Sequence, residues 1–140
     1  MNEETRMTLD DIDFSRVEIN PPKPTQDQAQ ILLRTVEGAG VALWRESPTQ
    51  HAEMLPTRRD LFKYEGGYSW GYRGEGCKNL AFAIVGRVYE FDDLSQDDMY
   101  EKAIKLVETL IPTLKQNVDH DLSVNAIRES IGDGKRPIFD

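Results

Sequence analysis

Residues 67–85 constrain the fold more than any other stretch of the chain: they read as an aromatic strand, a glycine turn and the start of an apolar helix. Tyr68, Trp70 and Tyr72 alternate with Ser69 and Gly71, the period-two pattern that sets three rings on one side of a strand. Gly74 and Gly76 admit backbone conformations that other residues avoid, so a turn is expected over 73–76. A helix is expected to start near Cys77. Its buried stripe is Leu80, Ala81, Ile84, Val85 and Val88, and Gly86 lies inside it or ends it.

The flanking sequence supports that unit. Two short apolar runs, 31–36 and 41–46, surround Glu37-Gly38-Ala39-Gly40 and favour a β-hairpin. The competing reading is a helix from about residue 25, with Thr25 and Gln28 as its cap. Residues 47–66 are irregular and punctuated by Pro48 and Pro56. A longer helix is expected over 96–111, opened by Ser95 and Asp98 as a capping pair and closed before Pro112, with Met99, Ala103, Ile104, Val107, Leu110 and Ile111 facing the core. Ser123 caps a last helix over 124–131, with Leu122 and Ile127 as a hydrophobic staple.

At 140 residues the chain is one domain by size, and its net charge of −8 repels nucleic-acid phosphate, which argues against direct DNA or RNA binding. The same charge suits a basic protein partner or mimicry of nucleic acid. No apolar run approaches the roughly 18 residues of a membrane span, and the acidic N-terminus does not read as a secretory signal. A cytoplasmic protein is the expectation. Residues 1–24 read as an acidic arm or linker ending in Pro21-Pro22-Lys23-Pro24. Its apolar Leu9, Ile12, Phe14, Val17 and Ile19 equally suit docking on its own domain or on a neighbouring subunit. Residues 25–132 form the domain, and 133–140 a tail.

A glycine turn feeding a helix leaves backbone N–H groups directed outward at the positive end of the helix dipole, where phosphate or carboxylate is well received. Arg73, Lys78 and Asn79 add charge and donors around Gly74 and Gly76, and Trp70 or Tyr72 offers a stacking surface. Arg58 and Arg59, in a small basic island with Lys63, are candidate counter-charges. The competing reading is a tight strand-to-helix connection with its aromatics in the core and its charges on a solvated surface. The glycine spacing matches neither a dinucleotide fingerprint nor a Walker loop. Glu75 in the turn tempers any anion site.

Catalytic constellations are weak. Cys77 is the lone cysteine, His51 and His120 are the only histidines, and no nucleophile-elbow pattern is present. No metal, cofactor or catalytic residue is assigned, and an enzyme ranks behind a binding protein.

The residues Trp70, Gly71, Tyr72, Gly74, Gly76, Leu80, Ala81, Ala83 and Ile84 resemble the hallmark of a family of small bacterial, archaeal and viral proteins, domain of unknown function 6166. Arg73, Glu75 and Cys77 depart from it, standing where the family has glycine, serine and proline. A proline there suits a first helical residue, consistent with a helix start at Cys77. A weaker likeness extends over 31–131. The resemblance implies the strand–turn–helix unit and the hairpin before it, and no established activity.

The expected fold is α+β: a small antiparallel sheet, made of the hairpin and the aromatic strand, packed by two or three helices. The expected function is non-catalytic binding of an anionic, nucleotide-like ligand at Arg58, Arg59, Trp70, Tyr72, Arg73, Gly74, Gly76, Lys78 and Asn79. The viral members suggest a role against a host defence. The alternative is an acidic inhibitor or accessory subunit that acts on a basic partner, and a homo-oligomer fits either.

Overall fold

The computed structural model describes residues 26–133; the arm over 1–24, the Thr25 cap and the tail beyond Asp133 lie outside the described residues. Strands β1 (Gln30–Val36) and β2 (Ala39–Arg45) form the hairpin, so the helical alternative for this segment is not the one adopted. Its turn is Glu37-Gly38, with φ of 50° and 85°. Positive φ at both central residues gives the turn the twist a two-residue hairpin needs, and glycine at the second position lowers the strain. Short β3 (Glu53–Met54) and β4 (His120–Ser123) complete a four-stranded antiparallel sheet in the order β3-β2-β1-β4. Strand β4 gives little sign of itself in the sequence. It is short and polar, and its pairing with β1 rests on backbone bonds.

The aromatic segment joins this sheet through a single bridge, Gly40 to Tyr68. It does not extend into a ladder because Trp70 would stand opposite the turn residue Gly38, and in the other direction the Ala42 carbonyl already accepts from Leu55 N–H at 2.9 Å; Gly71, at φ 93°, then turns the chain away. Helix α1 (Glu75–Val88) begins two residues before the expected start at Cys77, and α2 (Gln96–Thr109) follows. The Ser95 hydroxyl accepts from the Asp98 N–H at 3.1 Å, which satisfies one of the free donors of the first turn. The chain then tightens into a 3₁₀ turn, Ile111–Thr113, that contains Pro112. Helix α3 (Val124–Ile131) opens on Ser123, whose hydroxyl accepts from Ala126 N–H at 3.0 Å, and closes on Gly132 at φ 92°. The α+β class expected from the sequence is the one observed.

Helix α1 is buried almost all round, including Gly76, Cys77, Ala81, Ala83 and Gly86 as well as Leu80, Phe82, Ile84 and Val85. A helix apolar on every side is a central one. One side meets Ile31, Leu33, Ala42 and Trp44 of the sheet, and another meets Ala103, Leu106 and Val107 of α2 in one continuous core. Phe62 from the irregular segment closes a third side, stacked on Phe82 at 5.2 Å between ring centres. Burying each large aliphatic or aromatic side chain here contributes about 1.5–3 kcal/mol. Gly86 lies inside the helix because the Arg58 side chain crosses it, leaving no room for a Cβ.

A cleft at the N-terminus of the central helix

The positions singled out in the sequence divide into a packed set and an exposed set. Trp70 is 2% exposed. Its indole N–H donates to the Val118 carbonyl at 3.0 Å, and its ring meets the His120 ring edge-on at 6.5 Å. Trp70 is therefore a core residue with no stacking surface to offer. Gly71 N–H donates to Ile111 O at 3.0 Å and brings the turn against the backbone of 114–116. Beyond Gly71 the ring of Tyr72 lies over Gly74, and its hydroxyl is 3.0 Å from Ser69 Oγ. Ser69 in turn sits over Gly76, with its N–H bonded to Gly76 O at 3.2 Å. Side chains at Gly74 or Gly76 would collide with Tyr72 and Ser69. Asn79 is buried and donates from Nδ2 to Gly67 O at 2.8 Å, fastening the start of the segment to α1, while its Oδ1 has no partner. Tyr68 donates to Leu55 O at 2.9 Å, and burial pushes its phenol up to about 12.

The basic island stands apart from the turn. Arg58 Nη1 reaches Gly86 O at 3.2 Å, near the other end of α1, and its guanidinium pairs with Asp60 at 2.7 Å. Their mutual hydrogen bond, the largest influence on both groups, raises Arg58 and lowers Asp60 from their ordinary values. Arg59 pairs with Glu65. Both cations are thus matched by local acids, and Gly86, which Arg58 contacts, lies about ten residues, or roughly 15 Å, along the helix from Gly76.

Arg73, Gly74 and Lys78 do come together. With Glu75, and with Ile104, Val107 and Glu108 from α2, they line an open cleft of about 600 Å³. Arg73 reaches toward the Glu108 carbonyl at 3.5 Å, and Lys78 lies 3.5 Å from Glu75. The lining carries two cations and two carboxylates, so the cleft is balanced rather than positive. No side chain caps α1 at Gly74, which leaves its first-turn N–H groups without that acceptor. Tyr72, 42% exposed, stands near the turn and keeps an accessible ring. The α2 residues were missed by sequence reasoning as site residues. Ile104 and Glu108, four apart on one helix, share a side of it, but nothing local says that this side meets the start of α1.

A family model matches residues 33–132, most of the chain. The chain belongs to DUF6166, a family of unknown function. Neither the curated proteins nor the solved structures gave a match. Within this DUF6166 chain, the residues that resemble the family hallmark have structural work: Trp70 and Gly71 lock the aromatic segment to 111–118, and Gly74 and Gly76 let Tyr72 and Ser69 lie on the helix start. The departures Arg73 and Glu75 are exposed, whereas Cys77 is buried, with Sγ 3.7 Å from Ser69 Oγ.

Among the described residues of this DUF6166 protein, no group of three His, Cys, Asp or Glu could hold a metal ion, and no helix is long and apolar enough to cross a membrane. A polar cluster at the far end of α1 is structural. Tyr89 OH donates to Asp133 at 2.7 Å, Lys102 pairs with the same carboxylate at 3.1 Å, and Arg128 lies over the Tyr89 ring and bonds Gln26 at 2.7 Å. Burial pushes the Asp133 carboxyl up, but the hydrogen bonds from Tyr89 and Lys102 and the Lys102 charge outweigh it, so the net shift is downward. A depressed carboxyl adds stability above its unfolded value, about 3.9, and that stability is lost as pH falls through the folded value. Asp133→Asn is therefore expected to flatten the acid limb of stability against pH below about pH 5, measured by urea unfolding across the series.

Proposed function

We propose that this DUF6166 protein is a non-catalytic binding protein that holds a small anionic ligand in the cleft at the N-terminus of α1. The observation that carries this reading is the convergence of Arg73, Gly74 and Lys78 on one cleft beside a helix start that lacks a side-chain cap. The first-turn N–H groups and Arg73 would receive a phosphate or carboxylate. The exposed ring of Tyr72 would take the stacking role assigned in the sequence to either aromatic. Ile104 and Val107 supply an apolar wall. Because Glu75 and Glu108 offset the cations, a nucleotide with one phosphate, or a carboxylate, suits the cleft better than a triphosphate.

Thermal unfolding with inorganic phosphate and a panel of nucleoside mono-, di- and triphosphates tests the idea. A ligand at one hundred times its Kd stabilises by about 2.7 kcal/mol, which raises Tm by several degrees. Arg73→Ala and Lys78→Ala, both at solvent-accessible positions, should remove that rise and leave the unliganded Tm nearly unchanged. A flat panel at millimolar concentrations rejects the reading.

A second reading is an acidic contact surface for a basic protein partner. It is favoured by the exposed Asp93, Asp97, Asp98 and Glu101 in the same stretch as Phe91 and Tyr100, residues that are 52% and 54% exposed. Exposed aromatics within a charged field are the composition of interface anchors. The resemblance to viral proteins supports action against a host defence as the setting for either reading. A partner complex that weakens with salt and survives Arg73→Ala would select the second.

A further inference from the structure

The sheet has a face that no described helix covers. Leu32 on β1, Val41 and Leu43 on β2 and Met54 on β3 share it, because Leu32 pairs with Leu43, Leu43 with Met54, and Arg34 with Val41. Ile31, Leu33 and Ala42 point the other way into the core. Leu32 is only 3% exposed, yet it stands outside the core cluster that takes in the other buried apolar side chains of the described residues. Met54 on the same stripe is 66% exposed. Arg34 and Arg45 flank the stripe. Arg34 pairs with Asp121 at 2.8 Å, while Arg45 meets the neutral Gln30 side chain at 2.7 Å, so its charge has no described counter-ion.

We propose that this outer face is the docking site of the chain's own N-terminal arm, residues 1–24. The described chain begins at Gln26, immediately before β1 at Gln30, so the arm enters beside the sheet. A stretch of this length reaches up to roughly 80 Å when extended, against a sheet of four strands about 15 Å across. Pro21, Pro22 and Pro24 favour an extended backbone of about 3.1 Å per residue. That run spans about 12 Å, comparable with the thickness of one sheet layer. Beyond it the arm offers apolar Phe14, Val17 and Ile19 to the stripe, and Asp13 and Glu18 to Arg45. Residues 134–140 carry Lys135 and Arg136, the wrong charge for this face. The proposal is independent of the ligand reading, since the cleft lies on α1 and α2.

Paired cysteines in the full-length protein test it. Val17→Cys is combined with Met54→Cys on the outer face or, as control, with Glu108→Cys at the cleft. Cys77 is fully buried and does not compete. A docked arm gives an intramolecular disulfide at Met54→Cys at least about tenfold faster than at Glu108→Cys, because docking raises the effective concentration at one site only. Equal rates at the two positions overturn the proposal, and so do disulfide-linked dimers, which would make a second copy the occupant. As a second measurement, Val17→Asp with Ile19→Asp should lower Tm by several degrees without changing phosphate or nucleotide binding. An unchanged Tm also overturns it.

Discussion

Replacing Trp70 by alanine is expected to destabilise the protein by about 3–5 kcal/mol, the range for truncating a large buried aromatic. The loss should appear as a lower midpoint in urea unfolding with an unchanged slope. Two contributions add. The ring is 2% exposed and fits between His120 and Gly40, so its removal leaves a cavity lined by several elements. The Val118 carbonyl also loses the donor it holds at 3.0 Å, so the hydrogen bond is forfeited as well. Trp70→Phe separates the two, since it keeps most of the ring and forfeits the hydrogen bond, at about 1–3 kcal/mol. The variant also discriminates between the roles weighed in the sequence: a stacking tryptophan would lose ligand at full stability, whereas this one loses stability first.

Gly71→Ala should cost about 2–5 kcal/mol, for a different reason. The residue sits at φ 93°, a left-handed conformation that costs an L-residue about 1–2 kcal/mol. A Cβ there would also stand 2.9 Å from Gln116 Cα and N and from Leu114 O, all backbone, so the neighbours cannot swing aside as a side chain would. Overpacking of this kind adds about 1–3 kcal/mol. Gly38→Ala is the matched control: Gly38 has φ 85°, but a Cβ there meets nothing within 4 Å, so conformational strain alone should be seen. Equal losses at the two positions, in the same urea series, would mean that the approach of the 114–116 backbone contributes nothing.

Much of the architecture was legible because it rests on short-range chemistry. Glycine at the second turn position and apolar runs of matching length specify the hairpin. Ser95 and Ser123 specify two helix starts through hydroxyls that reach N–H groups three residues on. The start of α1 was harder, since Gly74 offers no side chain to mark it and the helix begins earlier than the apolar pattern suggests. Strand β4 was illegible for a related reason: its pattern is too short to separate from loop, and its partner β1 lies far off in the chain, with Gln30 opposite Ser123, 93 residues away.

The candidate site was legible only in part. Arg73, Gly74 and Lys78 are neighbours in sequence, so local reasoning could group them, and they do share a cleft. Tyr68, Trp70 and Tyr72 were grouped by alternation, but one glycine at positive φ breaks the alternation and sends Tyr72 to a different side from Trp70.

By itself, then, the sequence determined the β1–β2 hairpin, the three helices and the family the chain resembles, because turn chemistry, capping and helical periodicity act between near neighbours, whereas β4 and the single bridge of the aromatic segment depend on distant partners. Only the tertiary structure decided which of the chosen side chains remain available. Trp70 meets Val118, Arg58 meets Gly86, and Arg73 meets Glu108 across 48, 28 and 35 residues of chain. Burial is a property of such long-range meetings. They turned the central aromatic of residues 67–85 into core, drew Arg58 to Gly86 near the far end of α1, and left a balanced cleft at the start of α1.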